Sequence, residues 1–438
     1  MHTGPSLQDF LARERAAITE ACTACGRCVE VCPVVPHAGI EGSEPSGVAA
    51  GVRALLAGAD QLTPDAAAWV GHCNGCGDCL PVCPEGVNPR RMVSLAQATT
   101  SAAGNGVPEV FRKMARAVRL MAAMQLVPED VARLLRHRPV RRAPVLFYLG
   151  CNAIRTPNVL LDAMTVLDAL EVDYEVAGGP AACCGIVHTR TEGSIAAGGQ
   201  VLATTLDRFE RFHAERVLSW CPSCQLQIGE TLKGFRRTPF ELDHVTAFLV
   251  EHAAGLRERW TTPVPRRVVL HAHDGFGDFG RNVETLLDSI PGLERVDTIV
   301  EAGYTCGAAG SDRAPALKAR DRARLFERVR ASGVDTVVSL YHGCHRSLIA
   351  DGLREGFDVV NFTALLVEAL GETPHHDGFR AMRAQDPDSV VEAAGRYLAA
   401  NGAAVDPSWL RDNLEALFTQ AEFRGGLESF GRCPSAPR

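Results

Sequence analysis

Two copies of one cysteine spacing constrain this chain more than anything else in it. They are Cys22-x-x-Cys25-x-x-Cys28-x-x-x-Cys32-Pro33 and Cys73-x-x-Cys76-x-x-Cys79-x-x-x-Cys83-Pro84. Three closely spaced thiolates wrap one cubane, while the fourth, followed by proline, turns away and ligates the other cluster. Cys22, Cys25, Cys28 and Cys83 are therefore assigned to one [4Fe–4S] cluster, and Cys73, Cys76, Cys79 and Cys32 to a second. Zinc sites seldom need eight cysteines in this register. Gly26, Gly75 and Gly77 stand beside the ligands, where a missing side chain lets backbone amides approach the sulfurs.

Leu7, Phe10, Leu11, Ala17 and Ile18 keep roughly helical spacing ahead of the first motif. Between the motifs, Val48 to Leu56 and Pro64 to Val70 are alanine-rich and helix-favouring. Over about residues 15–100 the chain resembles the α-helical ferredoxin of succinate dehydrogenase and of heterodisulfide reductase electron-transfer subunits. Residues 1–100 are thus expected to form a helical domain holding two [4Fe–4S] clusters.

A second group of thiols reads Cys151, Cys183-Cys184-Gly185 and Cys221-Pro222-Ser223-Cys224. Two adjacent cysteines cannot easily bond to each other, but both can point at one inorganic core, and thiolate is the soft ligand such cores use. The pattern resembles the cysteine-rich "CCG" domain of heterodisulfide reductases. That domain also occurs in the iron–sulfur subunits of glycolate oxidase and anaerobic glycerol-3-phosphate dehydrogenase. The resemblance implies that Cys151, Cys183, Cys184, Cys221 and Cys224 hold a third, non-cubane [4Fe–4S] cluster.

Strands are expected at Pro144–Leu149, Asp173–Ala177 and Arg216–Trp220, with helices at Val159–Leu170 and about Ile195–Glu215. Strand–helix alternation implies a parallel, Rossmann-like sheet with its ligands at the carboxyl ends of the strands. After Pro263-Val264-Pro265 the pattern returns. Cys306 follows Cys184 by 306 − 184 = 122 residues, and Cys344 follows Cys224 by 344 − 224 = 120. Two near-equal offsets indicate an internal duplication. The fold class is α+β and multidomain: the helical ferredoxin, then two tandem CCG repeats, the second degenerate.

In that second repeat the five ligand positions read Phe276 or Gly277, Thr305, Cys306, Tyr341 and Cys344. Tyrosine and threonine oxygens match iron–sulfide poorly. Two readings stay open. The repeat is a structural and docking half without a cluster, or Cys306 and Cys344 join histidines in a zinc or mononuclear iron site. His273 and His345 are the named donors, with His342 nearby. Gly275-Phe276-Gly277-Asp278-Phe279-Gly280 fits the dinucleotide fingerprint and follows a strand. The duplication already explains it as the counterpart of the Cys151 loop, and Asp278 would repel a pyrophosphate.

The expected boundaries are 1–100 for the ferredoxin, 101–142 for a basic helical connector, 143–262 and 263–370 for the two lobes, and 371–438 for a helical tail. In the connector, Val110, Met114, Val118, Met121 and Met124 trace one stripe. That stripe either packs on the neighbouring lobe or lies on a membrane surface. Cys433, in the tail, is read as an uninvolved thiol. A net charge of −7 leaves no footprint for nucleic acid. Sixteen cysteines in 438 residues, without a signal-peptide pattern, point to a reducing compartment. The cytoplasm, or the inner face of the membrane, is expected. No apolar run is long enough to span a bilayer.

No acid–base or nucleophilic constellation is present, so any chemistry belongs to the cofactors. The resemblance implies an iron–sulfur subunit relaying electrons between a flavoprotein dehydrogenase and an acceptor such as a quinone, with turnover requiring a partner. Its alternative is a catalytic subunit that cleaves a disulfide or related sulfur substrate at the first-lobe cluster.

Overall fold

The computed structural model describes residues 6–100, 109–135, 140–190, 195–303, 306 and 314–419. Tyr304, Thr305, Arg136, Arg138 and Cys433 lie outside them.

Each ferredoxin motif starts where a helix stops. Helix Leu7–Ala21 opens on a Ser6–Asp9 capping box and ends at Cys22, whose amide donates to the Ile18 carbonyl. Helix Pro64–His72 opens on the Thr63 cap and ends at Cys73, whose amide donates to the Trp69 carbonyl. Helices Pro45–Leu56 and Pro89–Thr100 complete the domain. Phe10, Val52, Trp69, Met92 and Leu95 are buried in its core.

Two four-stranded parallel sheets follow. The first holds β1 (Val145–Gly150), β2 (Tyr174–Gly178), β3 (Arg216–Ser219) and β4 (Glu241–His244). The second holds β5 (Arg267–His273), β6 (Glu294–Glu301), β7 (Thr336–Ser339) and β8 (Asp358–Asn361). Their orders are β2-β1-β3-β4 and β6-β5-β7-β8, one arrangement used twice. β1 is buried along its whole length, as a central parallel strand covered on both faces must be.

The sheets are joined reciprocally. Helix Asn158–Ala169, which follows β1, packs on helix Phe362–Ala369, which follows β8. Helix Phe279–Leu287, which follows β5, packs on helix Val245–Glu251, which follows β4. The two end helices even start alike. His244 accepts from the Thr246 amide, and Asn361 from the Thr363 amide. Trp220 stacks on Phe362 at 5.9 Å and His244 on Phe279 at 3.7 Å across the same seam.

From Met114 onward the connector stripe packs against protein. Helix Glu109–Ala123 lies against the turn Asn152–Arg155, and Val118, Met121 and Met124 are buried. Of the two readings of that stripe, this is the packed one. The tail contributes helices Gly378–Arg383, Pro387–Ala400 and Pro407–Thr419. Among the described residues no helix is long and apolar enough to cross a membrane.

Candidate metal centres

The eight ferredoxin thiols fall into two groups of four. Cys22, Cys25, Cys28 and Cys83 line one cavity; Cys32, Cys73, Cys76 and Cys79 line another. Each group thus takes three thiols from one motif and the last from the other. Burial, then the neighbouring Cys22 and Cys25, pushes the Cys28 thiol up to about 12. Burial and Cys73 push Cys32 up to about 11, and burial holds Cys76 and Cys79 well above the usual range. Crowded anionic sulfurs in a low-dielectric pocket repel one another until cations lie between them. The all-thiol donor set fits an iron–sulfide core. Trp69 Nε1 donates to Cys32 Sγ at 3.2 Å, a bond that stabilises charge on that sulfur.

The first lobe brings its five cysteines to the carboxyl edge of its sheet. Cys151 follows β1, Cys183 and Cys184 follow the turn after β2, and Cys221 and Cys224 follow β3. Gly150 permits the approach. Its φ is +73°, and an added Cβ would stand 2.9 Å from Cys221 Cβ and 3.2 Å from Cys224 Sγ. The thiols are free and neighbour one another in turn: Cys183 interacts with Cys151 and Cys184, and Cys224 with Cys184 and Cys221. Bonds from Cys183 and Cys224 lower the Cys184 thiol to about 6. Bonds from Cys224 and then from His342 of the second lobe, outweighing burial, hold Cys221 well below its ordinary value. The Gly185 amide donates to Cys183 Sγ at 3.3 Å. Five sulfurs and oriented donors suit a core larger than one ion. Cys151 is the partly exposed member; the other four are buried.

The second lobe assembles a smaller set. His271, His273, Cys306 and Cys344 are all buried, and one ligand atom from each lies within 4.8 Å of the others. His345, one of the donors expected from sequence, is elsewhere. Its ring bonds Ser339 Oγ at 3.0 Å and Asp377 Oδ2 at 2.7 Å. His345 follows Cys344 directly on helix His342–Glu355, and adjacent helical residues point about 100° apart. His271 takes the place instead, because residues two apart on a strand share a face.

Sequence reasoning also missed Arg90. It is buried, forms an ion pair with Glu230, and donates to the carbonyls of Gly75, Cys76 and Gly275. Gly275 explains the glycine-rich loop. At φ +82°, an added Cβ would lie 1.7 Å from the Cys76 oxygen, so the turn serves contact with the second ferredoxin loop.

The arrangement defines an iron–sulfur protein that joins a helical dicluster module to parallel-sheet α/β units carrying a cysteine-rich site. Residues 18–87 match the 4Fe-4S dicluster domain and residues 145–229 the cysteine-rich domain. The chain is homologous to the D subunit of heterodisulfide reductases and to related iron–sulfur proteins. It is 26% identical over 409 residues to the D subunit of the dihydromethanophenazine:CoB–CoM heterodisulfide reductase of Methanosarcina mazei, covering 80% of this chain and 94% of that one. The Methanosarcina barkeri protein of the same name is 24% identical over 397 residues, with the same two coverages. The B subunit of the fumarate reductase (CoM/CoB) of Methanothermobacter marburgensis is 25% identical over 315 residues, 68% of this chain and 61% of that one. These three relatives are named as subunits of redox enzymes.

Proposed function

We propose that this chain is the electron-transfer subunit of an oxidoreductase complex, linking a flavoprotein dehydrogenase to an acceptor through two ferredoxin clusters and a first-lobe cluster. The sites assigned by sequence are its ligands: Cys22, Cys25, Cys28 and Cys83; Cys73, Cys76, Cys79 and Cys32; and the five first-lobe cysteines. The second sheet is read as a duplicated lobe that has lost its cluster. Iron–sulfur clusters supply one-electron transfer when bound.

The observation that carries this reading is the packing of the Cys76 loop on the seam between the lobes. Arg90 bonds the Cys76 carbonyl at 3.2 Å and lies 5.5 Å over the Phe276 ring. Phe276 meets Tyr341 edge-on at 5.8 Å, and burial together with the nearby Cys344 and Cys221 sulfurs holds the Tyr341 hydroxyl far above its usual range. One continuous strip of buried side chains therefore runs from the second ferredoxin site to a first-lobe ligand. A second reading, reduction of a sulfur substrate at the first lobe, is favoured by the partial exposure of Cys151 and by the activity named for the relatives.

Anaerobic protein tests the relay. We expect a third iron centre that is lost in Cys184→Ala while both cubanes remain. Its reduction should slow at least tenfold in Cys79→Ser. Zinc in the first lobe with no iron beyond two cubanes, or an unchanged rate in Cys79→Ser, would sink it.

A further inference from the structure

The four side chains in the second lobe form a closed, buried set at the carboxyl ends of three strands. His271 and His273 lie at the end of β5, Cys306 follows β6, and Cys344 stands in the first turn after β7. Such ends are where parallel sheets hold ligands. His271 Nε2 is 3.0 Å from Glu301 Oε2, and Arg322 bonds Glu301 Oε1 at 2.6 Å. His271 Nε2 also lies 3.9 Å from Cys306 Sγ, while its Nδ1 has no hydrogen-bond partner among the described residues. Arg322 also donates to Cys306 Sγ at 2.8 Å. Metal-bound histidines and thiolates use outer partners of this kind.

From this geometry we propose that His271, His273, Cys306 and Cys344 bind one tetrahedral zinc ion. Size decides against an iron–sulfur core. Four-iron clusters spread their ligands over separate irons, and two-iron cores of the two-histidine, two-cysteine type put the two pairs on different irons. A set in which every ligand atom is within 4.8 Å of the others fits a single ion. Charge agrees at the ligands: Zn2+ with two thiolates is neutral, and the neighbouring Glu301 and Asp351 carboxylates are both paired with Arg322. Two thiolates, two imidazoles and no open position are the donors of a structural zinc site. The ion ties together the ends of β5 and β6, which carry Gly275 and Gly303. Those glycines meet Cys76 and Asp78 of the ferredoxin module, Gly303 donating to Asp78 Oδ2 at 3.2 Å. The proposal is independent of whether the first lobe holds a cluster.

The test uses the full chain, purified anaerobically. About one zinc per chain is expected, with a zinc X-ray absorption spectrum showing two sulfurs at about 2.3 Å and two nitrogens at about 2.0 Å. His271→Ala combined with Cys344→Ser should lower zinc to near zero and leave cluster iron unchanged. His273→Cys should keep zinc and shift the spectrum to three sulfurs and one nitrogen. The wild-type spectrum decides even if the double variant fails to fold. Absence of zinc, four-sulfur coordination, mononuclear iron in its place, or a Cys306–Cys344 disulfide in protein denatured with alkylating agent would each overturn the assignment.

Discussion

The carbonyl of Cys76 faces the α-carbon of Gly275, so that one ferredoxin ligand and the first loop of the second lobe share a backbone contact. Nothing larger than hydrogen fits between them. Gly275→Ala should therefore act as a wedge. A backbone overlap and a φ of +82° together cost about 2–4 kcal/mol. The variant should unfold at lower temperature, at a fixed scan rate, and be cleaved faster by protease near residue 275. An unchanged profile would mean that the two modules are not fastened here.

Cys83→Ser should damage the cluster assigned mainly to the other motif. Its sulfur lies in the cavity of Cys22, Cys25 and Cys28. About four of eight module irons should be lost or become labile, and Mössbauer spectra should show the Cys73–Cys79 cluster intact. Selective loss of that second cluster would contradict the crossed assignment.

Arg90→Met should be more harmful than its surface chemistry suggests. It removes the cation paired with Glu230, leaving that carboxylate the Asn88 amide, and leaves three carbonyls without their donor. Breaking a buried pair on one side costs about 3 kcal/mol. Arg90→Lys should recover little, since a single ammonium cannot reproduce a planar fork. Chemical denaturation of both variants checks this, full rescue by lysine being the contrary result.

His244 sets a pH limit on the seam. Burial lowers its imidazole to about 4, against the favourable bond to the Trp220 carbonyl and the charge of Asp243. With its folded value below the ordinary 6.5, the unfolded chain binds the extra proton between about pH 6.5 and pH 4. Stability should thus fall as pH drops through that window, by about 3 kcal/mol in all. His244→Asn, which keeps a cap for Thr246, should flatten the unfolding-temperature profile from pH 7 to 5. A slope unchanged by this substitution would assign the dependence to other groups.

Sequence spacing made the ferredoxin half readable because a cluster is held mostly by near neighbours. Each cavity holds the three closely spaced cysteines of one motif and the proline-flanked cysteine of the other. The apolar strands expected at Pro144–Leu149 and Arg216–Trp220 were also legible, and lie at Val145–Gly150 and Arg216–Ser219. His271 was within reach: alternation along β5 gives it the same face as His273, whereas the choice of His345 followed proximity to Cys344 in the chain. Arg90 and Arg322 had no such signal. Their partners, Gly275, Glu230, Glu301 and Cys306, are brought to them only by the packing of distant segments.

The reciprocal seam of helices bears on what can be cut away. Helices Asn158–Ala169 and Val245–Glu251 are covered by helices Phe362–Ala369 and Phe279–Leu287. A fragment ending at residue 262 would bare two apolar faces at once. Each stands where its counterpart's mate would lie in a second copy, so such fragments would cover one another as a symmetric pair. The second sheet is in this sense a tethered protomer, held at an effective concentration on the order of millimolar without any added contact.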